Sequence, residues 1–139
     1  ATATGYAGGL ERPTTIVIGD LSALHDLNSL SLVANCKHPI VVVVVNNQGG
    51  HIFDHLPVRK SPHFEQFFNT PHSYQFSGAA EMFGLPYQKI TTMVDFRESY
   101  LQAISQEHSQ VLELITDRQV NLDTRQQIRK AIQQCKQQD

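Results

Sequence analysis

At 139 residues, 40% of them hydrophobic, the chain is long enough for one globular domain with a core of its own. Eleven Lys and Arg against 13 Asp and Glu leave a formal charge of −2, with no basic run to support nucleic-acid binding. The longest apolar run, residues 40–45, is far too short to span a bilayer and no signal-peptide pattern opens the chain, so a cytoplasmic protein is expected.

In chain order, Ala1-Thr2-Ala3-Thr4-Gly5-Tyr6-Ala7-Gly8-Gly9 reads as a helix whose small residues pack closely on a sheet or a cofactor. A domain does not normally begin in mid-element, so a fragment lacking its first elements is expected. Residues 14–19 form a strand bounded by Pro13 and by Gly19-Asp20. Leu24, Leu27 and Leu30, widened by Ala23, Leu32, Val33 and Ala34, predict a helix over 21–34 with Ser22 as its cap. Lys37-His38-Pro39 turns the chain into a second strand at 40–45, and strand, helix, strand makes a right-handed parallel unit. Its five consecutive valines, Val41 to Val45, satisfy their packing only with both faces of the sheet covered.

Beyond Gly50 the regularity weakens. Residues 51–57 suit one short helical turn ended by Pro57, and 59–70 are polar and aromatic, an irregular segment beside a strand end of the kind that forms functional lids. A helix over 76–83, a strand over 87–90, a helix opened by the cap Thr92-Met93-Val94-Asp95 and running to about 106 with Phe96, Tyr100 and Ala103 or Ile104 on one face, and a strand over 111–116 follow. Asp123 is the expected cap of a last amphipathic helix carrying Ile128, Ala131, Ile132 and Cys135, its glutamines solvated. Cys36 and Cys135 read as two reduced thiols packed as small hydrophobes. The class that results is a single α/β domain over 1–139, three-layered, with a mostly parallel sheet and helices on both faces.

The chemistry belongs at the carboxyl ends of the parallel strands, where loops and helix amino termini converge. Asp20 and Asn46-Asn47 both stand at such ends, with 25 residues between them, enough for the helix and the returning strand. A carboxylate, an amide oxygen and a carbonyl are hard oxygen ligands that suit Mg²⁺, and a helix opening at Ser22 points free amides at phosphates. Alone, Gly19-Asp20 is a common turn, and Asn46-Asn47-Gln48-Gly49-Gly50 alone suggests a hairpin, but 52–57 is too short and interrupted to be its second strand.

Gly19-Asp20, 25 residues, then Asn46-Asn47 resembles the fingerprint of thiamine-diphosphate enzymes, with Leu21 in place of their usual second glycine. That departure, with Ser22-Ala23-Leu24-His25-Asp26-Leu27-Asn28 and Asn46-Asn47-Gln48-Gly49-Gly50-His51-Ile52-Phe53-Asp54-His55-Leu56-Pro57, resembles the menaquinone-pathway branch, the 2-succinyl-5-enolpyruvyl-6-hydroxy-3-cyclohexene-1-carboxylate synthases, in their carboxyl-terminal diphosphate-binding domain. The resemblance implies a transferase in which 2-oxoglutarate is decarboxylated and the succinyl carbanion joins isochorismate. It implies thiamine diphosphate held by Asp20, Leu21, Ser22, Asn47, Gly49 and Ile52, with Mg²⁺, or Mn²⁺ as the alternative ion, on Asp20, the Asn47 side chain and the Gly49 carbonyl. Ile52, Phe53 and Leu56 become an apolar wall of the substrate pocket, against the plainer reading of one buried helix face. No catalytic residue is expected in this chain: the activating glutamate lies on a pyrimidine-binding domain of a second subunit, in a homodimer or homotetramer, and the upstream pyrimidine and middle domains are missing. A fragment of this kind is expected to be inactive alone.

Other readings stand beside this one: another thiamine-diphosphate decarboxylase or synthase, or a non-catalytic α/β binding module whose Asp20 and asparagines merely shape turns. His51 and His55, four apart, have zinc-site spacing, but no third ligand is evident. His25 reads as a backbone partner, and Arg59, Lys60 and His63 either draw an acidic substrate or are simply solvated.

Overall fold

The computed structural model describes residues 1–135. Four strands, β1 (Thr14–Gly19), β2 (Ile40–Asn46), β3 (Tyr87–Ile90) and β4 (Gln110–Ile115), form one sheet in the order β1-β2-β4-β3. Every pairing is parallel. The strand bounds fall within a residue of those read from the sequence; β1 and β2 are runs rich in β-branched residues, and β3 and β4 are short segments between turn and helix signals.

The valines of β2 alternate between two cores, so the strand must lie between two helical layers. Ile40, Val42 and Val44 pack with Ala7 of α1 (Thr2–Leu10), Leu30 and Val33 of α3 (Leu30–Ala34), Phe76, and Ala80 of α4 (Ser77–Met82). Val41 and Val43 pack on the other face with Leu112, Ile90 and Ala103, the last on α5 (Met93–Ile104). Each fully buried Val side chain stabilises the fold by roughly 1.5–3 kcal/mol. This is the three-layer α/β arrangement expected, and no described helix is long and apolar enough to cross a membrane.

Three local expectations are corrected. The helix predicted over 21–34 is divided into α2 (Asp20–His25), a 3₁₀ turn (Leu27–Ser29) and α3. Asp26 leaves the helical region at φ −114°, ψ 26°, and its carboxylate takes the Ser29 hydroxyl, the local side-chain bonding by which Asp and Ser compete with helix. Ser22 caps nothing: α2 starts two residues earlier, with Gly19 as N-cap. Asp123 caps nothing either, because α6 begins at Arg118 (Arg118–Cys135) and the cap bond runs from the Val120 amide to Asp117 Oδ1, 2.8 Å. Asp123 lies inside the helix and accepts from Gln119 Nε2.

At α5, in contrast, Thr92 caps as read, its hydroxyl oxygen accepting from the Asp95 amide at 3.1 Å. The apolar stripe of α6 is present but uncovered: Ile128 and Ile132 are about half exposed, and Leu122 is the one buried residue of that helix. Cys135 is exposed rather than packed, while Cys36 is half-buried, and both are free thiols. The last of the glutamine-rich tail, 136–139, lies outside the described residues.

Candidate diphosphate and metal site

Gly19 stands opposite Val45 in the parallel register, so Asp20 and Asn46-Asn47 leave adjacent strands at one level. Asp20 is 3% exposed, and its two oxygens are already aimed: Oδ1 accepts from the Leu21 amide at 2.7 Å and Oδ2 from the Gly49 amide at 3.1 Å. The Leu21 amide thus serves the carboxylate, while Ser22 lies exposed on the short helix α2.

The two asparagines have opposite situations. Asn46, fully buried, donates through Nδ2 to Glu113 Oε1 (2.6 Å) and to the Tyr74 carbonyl (3.0 Å), while its Oδ1 accepts from the Gln48 amide. Glu113, also fully buried, takes the Phe76 amide and the Tyr87 hydroxyl on its other oxygen. Burial and the Glu113 carboxylate push the Tyr87 phenol well above its ordinary pKa, so it remains a donor. Asn46 is therefore a structural tie between β2, β4 and the loop before α4. Asn47 has no such ties. One end of its amide lies 3.1 Å from Asp20 Oδ2 and 2.7 Å from the Gly49 carbonyl. With nitrogen at that end, the amide donates to both acceptors. With oxygen there, the amide faces only acceptors, so in the absence of a cation the nitrogen orientation is the one the hydrogen bonds satisfy.

The loop is held in this shape by glycines. Gln48 adopts φ 64° and Gly49 φ 150°. A Cβ on Gly49 would stand 2.6 Å from the Asn69 carbonyl, and one on Gly50 2.9 Å from that of Phe68. The Gly50 amide donates to Asn69 O at 2.6 Å and the His72 amide to Gln48 O at 3.2 Å, so the segment after residue 67 buttresses the loop.

After the loop, the 3₁₀ turn His51–His55 presents Ile52 (73% exposed), Phe53 (36%) and Leu56 (50%) to the outside. The plainer reading, one buried helix face, fails for these three. A cleft of roughly 390 Å³ beside them is lined by Asn47, Ile52, Thr116, Arg118, Asn121 and Arg125. A separate void of roughly 50 Å³ under α1 is walled by core residues such as Ile16, Leu30 and Val42.

Behind the turn lies an ion cluster that no sequence signal announced. Arg118, at the start of α6, grips buried Asp54 with Nε on Oδ2 (2.8 Å) and Nη2 on Oδ1 (2.6 Å), and Nη2 also reaches Glu65 Oε1 at 3.0 Å. These bonds hold the Asp54 and Glu65 carboxyls below their ordinary pKa. His51 Nδ1 lies 3.5 Å from Asp54 Oδ2, Arg59 approaches Asp54 at 3.9 Å, and His25 is exposed. Partial burial, then Arg125 and Arg129, depress the His55 pKa. Among the described residues no three His, Cys, Asp or Glu side chains gather as metal ligands, so the His51 and His55 spacing has no zinc-type partner set.

A buried carboxylate, an amide and a carbonyl converge at adjacent carboxyl ends of a parallel sheet, the place where open α/β folds bind ligands. Residues 1–114 match the family described as thiamine pyrophosphate enzyme, C-terminal TPP binding domain, and the chain belongs to that family. Its curated relatives include the 2-succinyl-5-enolpyruvyl-6-hydroxy-3-cyclohexene-1-carboxylate synthases of Salinibacter ruber (40% identity, 97% of this chain, 22% of the relative) and Rubrobacter xylanophilus (47%, 88% and 21%). The synthase of Aeromonas salmonicida is 49% identical over 75% of this chain. The chain thus spans about a fifth of the length of these relatives. Among solved structures, benzoylformate decarboxylase from Polynucleobacter necessarius superposes with a TM-score of 0.69 at 19% identity, covering 84% of this chain and 22% of its own, which shows the shared fold.

Proposed function

We propose that this chain is the cofactor-anchoring part of a thiamine-diphosphate-dependent carboligase that decarboxylates 2-oxoglutarate and adds the succinyl unit to isochorismate in menaquinone biosynthesis. The observation that carries the anchoring role is the Asn47 amide, 3.1 Å from Asp20 Oδ2 and 2.7 Å from the Gly49 carbonyl. With the Asn47 amide turned to present its oxygen, Asp20, Asn47 and Gly49 would offer three hard oxygens of the kind that suits Mg²⁺ or Mn²⁺. When bound, thiamine diphosphate supplies the carbon that stabilises the carbanion left by a 2-oxo acid.

The chain's own residues position and shield. Asp20, Asn47 and Gly49 would hold the cation and Leu21, Ser22 and Ile52 would flank the cofactor, while Glu113 fixes the strand end through Asn46. Ile52, Phe53 and Leu56, exposed in this chain, would wall the reacting centre once it is covered by the rest of the enzyme and keep water from it. The choice of 2-oxoglutarate and isochorismate follows the relatives that share 40–49% identity with this segment. In the full enzyme the activating glutamate comes from the pyrimidine-binding domain of a second subunit, in a homodimer or homotetramer, so the 139-residue chain supplies half of the site.

Calorimetry of the purified chain with thiamine diphosphate tests the anchor: heat is expected with Mg²⁺ and none without it. Asp20→Ala is expected to abolish that heat, and binding as tight as that of the parent would end the metal assignment. No turnover of 2-oxoglutarate and isochorismate is expected from this chain alone.

A further inference from the structure

His72 is placed against the carboxylate of Asp20 by two neighbours. The Tyr74 amide donates to His72 Nδ1 at 3.2 Å, and the imidazole stacks on the Tyr74 ring, centroids 5.2 Å apart and planes at 18°. A ring that accepts at Nδ1 carries its hydrogen on Nε2. That nitrogen lies 3.2 Å from Asp20 Oδ2, and both side chains are only 5% exposed. The approach does not make a hydrogen bond, and buried Nε2 has no hydrogen-bond partner among the described residues. Oδ2 is also the oxygen that takes the Gly49 amide and faces Asn47. Meanwhile the backbone amide of His72 holds the Gln48 carbonyl. One residue therefore touches both halves of the site, the β1 end and the loop after β2.

We propose that His72 is a positioning residue for the cation: its unpartnered Nε2–H, 3.2 Å from Asp20 Oδ2, closes onto that oxygen when the metal binds and, with the Leu21 and Gly49 amides, holds the carboxylate toward it. This rests on Asp20 being a cation ligand. The Leu21 and Gly49 amides already hold the two Asp20 oxygens, His72 adds a side-chain donor to that set, and an outer group of this kind typically governs metal affinity by roughly 10–100-fold.

The test is a Mg²⁺ titration of the full 139-residue chain at fixed thiamine diphosphate, followed by calorimetry, with thermal melts recorded without metal. His72→Leu is expected to raise the half-saturating Mg²⁺ concentration by roughly 10–100-fold. His72→Gln, whose amide N–H reaches the Nε2 position, is expected to restore most of it, and His72→Asn, whose amide stops near Nδ1, is not. If the Leu variant does not fold, the Gln and Asn pair decides. Equal Mg²⁺ dependence in Gln and Asn variants, or an unchanged midpoint in a folded Leu variant, overturns the proposal and leaves the Asp20 site intact. An absence of Mg²⁺-dependent binding in the parent chain overturns both.

Discussion

A methyl group is enough to probe the loop that carries the anchor. Gly49 and Gly84 both have positive φ, 150° and 69°, but a Cβ on Gly84 meets nothing within 4 Å, whereas one on Gly49 is driven onto the Asn69 carbonyl. Gly84→Ala should cost about 1 kcal/mol of backbone strain, and Gly49→Ala about 2–3 kcal/mol together with loss of Mg²⁺-dependent cofactor binding. Chemical denaturation of the two variants checks this, and equal losses of stability would show that the 68–71 segment yields freely. At this scale the sequence already points to Asp20 and the asparagine pair, because hard oxygen donors at paired strand ends are a local pattern with fixed spacing. Of the pair, the resemblance already implies Asn47, and the structure adds that Glu113, Tyr74 and Gln48 occupy Asn46. His72 gave no such signal, since a single histidine after Thr70-Pro71 has nothing in its neighbours to mark it.

Among the elements, α6 is joined to the irregular segment after β2 by a guanidinium. Asp54 and Glu65 have ordinary carboxyl pKa values of 3.8 and 4.5, both lowered in the fold by their hydrogen bonds to Arg118. A carboxyl that titrates lower when folded stabilises the protein above its unfolded pKa, and that stability is lost as pH falls through the folded value. Arg118→Met should therefore cost about 3 kcal/mol at pH 7, chiefly by stranding buried Asp54, and flatten the fall of melting temperature between about pH 5 and 3. Melting curves that stay parallel across that range would mean the pair contributes no pH-dependent stability. Contacts of this kind, 64 and 53 positions apart in the chain, have no periodicity to betray them. The cap of α6 is ambiguous in sequence for a related reason: Asp117 and Asp123 both precede helix-forming residues, and only the bond from the Val120 amide to Asp117 distinguishes them. The interruption at Asp26 was legible in principle, because Asp-Leu-Asn-Ser is rich in residues that prefer turns to helix interiors.

For the molecule as a whole, the layered architecture could be read from five valines in a row, which no half-solvated strand accommodates. The strand order could not, since nothing local says that β4 inserts between β2 and β3. That insertion has a kinetic consequence. No strand in this sheet meets a partner through a hairpin, and Asn46 waits for Glu113, 67 positions later, before the end of β2 is tied down. Closing so long a loop is entropically unfavourable until β4 has docked along its full register, so the anchor is assembled late in folding. In refolding from denaturant, competence to bind Mg²⁺ and thiamine diphosphate should appear in the same slow phase as amide protection of β4. Competence that preceded that protection would mean the carboxyl end of β2 takes its shape without its central neighbour.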